Sequence, residues 1–273
     1  MAILSLLLCA LSAPIVLDNG AVRVEVEPRV FSVRFVGVPG RRNFLDPLPL
    51  TDEALAGSAW LDPGGLHTDV IPYPGPDAAL RRGPAEVIEQ SGSSVVMLGP
   101  VSEALKVRLS KEVRLVGREP LVLFTVSLVA ASGEPARYAI RNTARVPLKT
   151  TLRVRRADGS ISALAGAASI FPCVVKSNRY WLIPVPPTAR TKQAILGAFV
   201  PEVTHQNDSG LWVRRIVPPP SSPDDVPDGS TFMCVLDDAT RSYGAALQGP
   251  TTDVTPGSRL TFTEEWTLRR RGR

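Results

Sequence analysis

The stretch Leu260-Thr-Phe-Thr-Glu-Glu-Trp-Thr-Leu268 alternates between two kinds of side chain. Successive side chains on a β-strand point to opposite faces, so Leu260, Phe262, Glu264, Trp266 and Leu268 share one side. Thr261, Thr263, Glu265 and Thr267 take the other. The first side is apolar apart from Glu264 and is expected to face a core. A lone carboxylate there must be ion-paired, hydrogen-bonded, or open to a cavity through the sheet.

The same period recurs along the chain. After the turn signal Asn19-Gly20, Val22, Val24 and Val26 alternate with Arg23, Glu25 and Glu27, and Val33 and Phe35 continue in a second strand as far as Pro39-Gly40. Trp60 through Gly83 holds Gly64-Gly65 and prolines at positions 63, 72, 74 and 76, which predicts a largely irregular segment of the kind that carries binding loops. Glu86 to Leu98 and Leu105 to Leu115 read as strands, and the denser run Val122 to Leu128 predicts a strand buried on both faces. Further strand candidates are Tyr138–Asn142, Leu148–Val154, Ile170–Val175, Tyr180–Ile183, Val213–Val217, Thr231–Leu236 and Tyr243–Leu247. Pro218 to Gly229 reads as a surface loop. With 21 Gly, 26 Pro and no long helix-period segment in 273 residues, the fold class expected is all-β, a large antiparallel β-sandwich.

Composition bounds the function. At 44% hydrophobic and 21% charged residues the chain should fold rather than stay disordered. Part of the net charge of +5 sits in Arg269-Arg-Arg-Gly-Arg273, and elsewhere the signs are interspersed with no basic stripe among aromatics, so nucleic acid is not an expected partner. The apolar run Ile3–Leu11, with the small-x-small pattern Ala10-Leu-Ser12, reads as an export signal over residues 1–13, although no Lys or Arg precedes it. It is too short to cross a bilayer as a helix, so no integral membrane span is expected. The remaining residues 14–273 read as a single domain working in the periplasm or outside the cell. Cys173 and Cys234 could pair there or stand as two buried thiols. Neither has metal-site spacing and the chain has 2 His, so no metal is expected; no phosphate loop, nucleophile elbow or dinucleotide fingerprint calls for a cofactor.

Candidate chemistry begins with Glu264. In the strand Leu105–Leu115, Lys111 shares a face with Leu105, Val107, Leu109, Val113 and Leu115, a second charge in an apolar row. A Lys111–Glu264 pair would satisfy both and could floor a polar cleft, whereas a β-bulge would turn them to solvent. His67, in Pro63-Gly-Gly-Leu-His-Thr-Asp69, lies near a carboxylate and could serve as a general acid or base, or be a plain loop histidine. His205, in Val203-Thr-His-Gln-Asn-Asp208, has the same two readings. Trp60, Trp181 and Trp212 could stack on a sugar ring or pack the core.

The order of short segments carries a family resemblance. Leu17-Asp-Asn-Gly-Ala-Val-Arg-Val-Glu-Val opens the strands, Gly40-Arg-Arg-Asn-Phe-Leu45 follows, and a Gly-Gly loop ends in Pro72-Tyr-Pro74. Leu109-Ser-Lys-Glu-Val-Arg-Leu115 leads to Tyr138-Ala-Ile-Arg-Asn142, and the series closes on Pro256-Gly-Ser-Arg-Leu-Thr-Phe-Thr-Glu-Glu-Trp266. This resembles the galactose mutarotase-like (aldose-epimerase-like) superfamily, in an uncharacterised bacterial branch. The resemblance implies a supersandwich whose concave face binds a carbohydrate or polyol. In the mutarotases themselves a His acts as acid and a Glu as base; here those roles would fall to His67 or His205 and to Glu264, although the Asn-His strand motif is missing. Three functions follow as expectations. The first is an exported carbohydrate-binding protein, with or without catalysis. The second is a sugar epimerase using His67 and Glu264. The third is a structural or adhesive envelope sandwich with no small-molecule site. The first two require a cleft lined by Lys111, Glu264, Asn142 and a tryptophan.

Overall fold

A computed structural model describes residues 13–50, 64–72, 80, 83–130, 135–166, 173–187, 193–237 and 242–270. Trp60, most of the export segment and the start of the Ile170–Val175 candidate lie outside the described residues. The strands run β1 (Ile15–Asp18), β2 (Arg23–Glu27), β3 (Ser32–Gly37), β4 (Leu66–Ile71), β5 (Glu86–Gln90), β6 (Ser94–Ser102), β7 (Val107–Leu115), β8 (Leu121–Ala130), β9 (Ala136–Arg145) and β10 (Thr150–Arg155). They continue as β11 (Ser162–Ala165), β12 (Val175–Lys176), β13 (Tyr180–Val185), β14 (Ala194–Ala198), β15 (Glu202–Asn207), β16 (Gly210–Val217), β17 (Phe232–Asp237), β18 (Ser242–Gln248), β19 (Thr252–Val254) and β20 (Arg259–Arg269).

The described residues form two antiparallel sheets of ten strands each. One runs β1-β2-β3-β4-β9-β18-β17-β14-β11, with β19 also on β9; the other runs β12-β13-β10-β15-β16-β20-β8-β7-β6-β5. Alternation decides which side of each strand is buried. On β20 the residues Leu260, Phe262, Glu264, Trp266 and Leu268 are buried while Arg259, Thr261, Thr263, Glu265, Thr267 and Arg269 are not, as the sequence pattern predicts. The buried rows of both sheets merge into one core that includes Val24, Leu66, Ile140, Leu152, Trp212 and Phe124. The all-β sandwich expected from the sequence is the architecture observed.

Several strand readings need correction. Glu86–Leu98 is not one strand but the hairpin β5–β6, folded where Ser91 Oγ accepts from the backbone N–H of Ser93 and Ser94. Val122–Leu128 is not uniformly buried: Leu121, Leu123 and Thr125 are only half-buried, so β8 has one inner face like its neighbours. The strands β1, β11, β14, β15 and β19 escaped the sequence reading. The largest correction concerns Trp60–Gly83, expected to be irregular. Within it Leu66–Ile71 is β4, bonded along its length to β9 in the middle of the sheet. Gly64-Gly65 is the entry to that strand, not a flexible tip. Gly65 has φ +77°, and a Cβ there would lie 2.4 Å from the Val33 carbonyl oxygen, so only glycine lets β4 leave β3 after their single pair Val33–Leu66.

Cys173 and Cys234 are both buried and are not joined in a disulfide. No helix among the described residues is long and apolar enough to cross a membrane.

Candidate functional site

Glu264 lies between the sheets, fully buried, and each of its oxygens accepts two hydrogen bonds. Arg214 on β16, the strand beside β20, donates Nε to Oε2 at 2.8 Å and Nη2 to Oε1 at 2.9 Å. Asn142 on β9 of the opposite sheet donates Nδ2 to Oε1 at 2.9 Å, and Trp266 donates Nε1 to Oε2 at 2.8 Å. The guanidinium reaches on across the core to the carbonyls of Ala245 at 2.8 Å and Asn142 at 2.9 Å. Thr68 Oγ1 on β4 donates to Asn142 Oδ1 at 2.8 Å. Burial of an ion pair is tolerable only when the remaining donors and acceptors are satisfied, as they are here.

This geometry overturns the expected Lys111–Glu264 pair and the expected acid–base partnership of Glu264 with His67. The partner of Glu264 is Arg214, whose place in the alternation of Gly210–Val217 could have been read as a third charge in an apolar row. A carboxylate with four donors and no exposure joins two sheets; it does not meet a substrate. Asn142 is likewise committed to this clamp. Lys111 points elsewhere: its Nζ donates to the Phe31 carbonyl at 2.5 Å and lies 3.9 Å from the centre of the Phe31 ring. Burial lowers its pKa to about 7, partly opposed by the charge of Asp69. The register-shift alternative fails too, because both residues are buried.

His205 is fully buried, with its ring centre 4.6 Å from that of Trp212, so it packs inside the sandwich and lines no cleft. Burial, followed by the nearby charge of Arg214, pushes its pKa well below the usual histidine value. Trp181 sits on β13 at the far edge of the other sheet from His67, donates Nε1 to the Gly159 carbonyl at 3.1 Å, and is flanked by Arg156 and Lys176. Trp212 is core. The tryptophans of the described residues therefore do not assemble around His67.

A different set of polar residues does assemble. Thr68 and Asn142 face inward, so alternation turns His67 and Asp69 of β4, with Arg141 and Thr143 of β9, to the outward face of the first sheet. Register aligns Asp69, Arg141 and Gln248 in one row across β4, β9 and β18, and His67, Thr143 and Ala246 in the next. His67 Nε2 lies 3.6 Å from Asp69 Oδ2. Arg141 Nε donates to Gln248 Oε1 at 2.8 Å. Gln248 Nε2 in turn donates to the carbonyls of Pro227 at 2.8 Å and Ser230 at 2.5 Å, which ties the end of the Pro218–Gly229 loop over this face. His67 and Asp69 are each only 5% exposed, a degree of cover unusual for the outward side of a sheet. One row further, Arg145 Nε donates to Asp46 Oδ2 at 2.9 Å beside a pocket of about 270 Å³ that also includes Arg42 and Tyr243.

The chemical content is an imidazole with a carboxylate neighbour, a guanidinium and an amide on adjacent pleats. Such a set can donate to and accept from several hydroxyls and can move a proton near neutral pH. Sequence reasoning found His67 and its nearness to Asp69 but missed Arg141 and Gln248. Arg141 lies on the outer row of its strand, where a charge breaks no pattern.

No protein-family model and no curated protein matches this chain in sequence. Among solved structures it is similar to a provisionally assigned aldose 1-epimerase from Escherichia coli K12, with TM-score 0.61 and 10% identity over 95% of this chain and 99% of that one. It is also similar to a galactose mutarotase related enzyme from Lactobacillus acidophilus, with TM-score 0.58 and 10% identity over 94% and 97% of the two chains. A TPR-domain containing protein from Parabacteroides distasonis matches with TM-score 0.58 and 12% identity over 95% of this chain and 47% of that one. The chain thus has the galactose mutarotase-like fold that its sequence resembles.

Proposed function

We propose that the protein binds a carbohydrate on the outward face of β4, β9 and β18. In this reading Asp69 accepts sugar hydroxyls, Arg141 donates to them from the position in which the buried Gln248 holds it, and His67 beside Asp69 handles a proton. The observation that carries it is the alignment of His67, Asp69, Arg141 and Gln248 on adjacent pleats of one covered sheet face. The mutarotase-like fold supports this reading without fixing an activity, because one fold hosts many functions.

The His67–Asp69 contact at 3.6 Å favours a second step, ring opening of an aldose with Asp69 in the place first expected for Glu264. An imidazole holding the proton of the ring oxygen and a carboxylate taking that of the anomeric hydroxyl would suffice for it. The apolar N-terminal run supports export, so that the site would meet sugars outside the cytoplasm.

The test is isothermal titration with a panel of monosaccharides, paired with polarimetry of freshly dissolved sugar. Saturable binding that Asp69→Asn abolishes is expected, with accelerated anomer exchange if the second step operates. Absence of binding for every sugar, or binding indifferent to both Asp69→Asn and Arg141→Ala, overturns the reading. Recovery of full-length protein with its N-terminus intact from the cytoplasm overturns export.

A further inference from the structure

The outward face of the second sheet carries an independent feature. Residues Leu152-Arg-Val-Arg-Arg156 alternate so that Leu152 and Val154 are buried while Arg153 and Arg155 point out. Register sets Arg155 opposite Tyr180, next to Arg179, and sets Glu202 opposite Arg215. With Arg156 and Arg269 these side chains surround a pocket of about 470 Å³ in which Glu202 is the one carboxylate against five arginines.

The charges are unevenly answered. Arg215 donates Nε and Nη2 to Glu202 Oε2 at 3.1 and 2.8 Å and has Glu265 Oε1 at 3.9 Å. Arg155 has Asp158 at 3.8 Å. Arg156 donates Nη1 to the carbonyls of Ser177 at 3.0 Å and Asn178 at 3.3 Å and stands over the Trp181 ring, contacts that orient its guanidinium without neutralising it. Arg179 and Arg269 are exposed, and neither has an ion-pair or side-chain hydrogen-bond partner among the described residues. Arg156, Arg179 and Arg269 therefore line one concavity with no ion-pair partner among the described residues, and Arg156 is held in place by its two carbonyl contacts.

We infer that this pocket binds a phosphate or sulfate group carried by a small molecule about the size of a sugar. Guanidinium forks match the oxygens of a tetrahedral anion in pairs, and a doubly charged group removes the repulsion among the three arginines. A bare anion would fill little of the volume, which is of the size that takes a small organic ligand. Arg156 supplies the pre-oriented donor, Arg179 and Arg269 close from either side, and Glu202 holds Arg215 back from the anion. The site is on the opposite sheet from His67 and does not rest on the sugar reading of that face.

The experiment is isothermal titration of the purified protein with inorganic phosphate, inorganic sulfate, a phosphorylated monosaccharide and its unphosphorylated parent, all at one ionic strength held with sodium chloride. Saturable binding of the phosphorylated sugar is expected, tighter than free phosphate and lost for the parent sugar; equal affinity for ester and free phosphate would assign the site to the free anion. Arg179→Ala with Arg269→Ala should weaken binding by about tenfold or more, as expected for losing charge-assisted hydrogen bonds. Glu202→Gln should tighten it by removing the one negative charge from the pocket lining. All of these are exposed or half-buried side chains, so folding is checked by unchanged melting temperature. No saturable binding of any anion, unchanged affinity in the double variant, or weaker binding in Glu202→Gln overturns the inference.

Discussion

Replacing Glu264 by glutamine is the sharpest test of the inter-sheet clamp. The substitution keeps the volume of the side chain but removes its charge and turns one acceptor oxygen into a donor NH2 group. Oε1 accepts from Asn142 and Arg214 Nη2, and Oε2 from Trp266 and Arg214 Nε. Whichever way the amide sits, its NH2 faces two donors, so two buried donors lose their acceptor and the charge of Arg214 loses its counter-ion. Breaking a buried pair from one side costs about 3–5 kcal/mol, because the surviving charge stays desolvated. The arginine is fully buried, so no solvent screening reduces the effect. Urea unfolding followed by circular dichroism reads the loss directly. Combining Glu264→Gln with Arg214→Met should cost less than the sum of the two single changes, since the methionine leaves no charge to strand. A loss under about 1 kcal/mol for Glu264→Gln, or strict additivity in the double variant, would refute the clamp.

Two further predictions concern pH and one concerns thiol chemistry. Lys111 has a folded-state pKa of about 7 against an ordinary value of 10.5, so between those values the unfolded chain binds one more proton. Stability should therefore rise with pH across that window, by at most about 1.4 kcal/mol per unit, and Lys111→Met should flatten the rise in urea titrations. The pKa of His205 is held well below the ordinary histidine value of 6.5, so stability should fall as pH drops below about 6.5, where only the unfolded chain takes up the proton. His205→Phe should remove that acid slope even if it lowers stability at neutral pH. Cys173 and Cys234 are buried, and burial pushes the Cys234 thiol far up, so both should resist a thiol reagent in native protein and react only on unfolding.

The sequence disclosed the sandwich because period-two burial is a local property. Each of Leu260, Phe262, Trp266 and Leu268 needs only its own strand to announce an inner face. It also disclosed that Glu264 and Lys111 break their rows. What it could not disclose was the partner of each, since pairing across sheets depends on topology: Glu264 lies beside Arg214 only because β20 is laid against β16. His67 was misplaced for a different reason. Glycines and prolines around it mimic a loop, yet Leu66–Ile71 is held by six register pairs with β9, a tertiary preference that overrides local turn signals. Arg141 gives no such signal, because a charge on the outer row of a strand is the ordinary case and breaks no pattern.

The position of β20 in its sheet has a consequence for synthesis. It pairs with β16 on one side and β8 on the other, so the strands before it form two separate ribbons, β5 to β8 and β10 with β12, β13, β15 and β16. Until residues 259–269 leave the ribosome, each ribbon keeps an unpaired edge, and Arg214 waits inside one of them without its counter-ion. A nascent chain stalled before that point offers two sticky borders and an unquenched charge. Commitment to the native state is thus deferred to the strand made last among those described, and truncation there should yield an aggregate in place of a shortened domain.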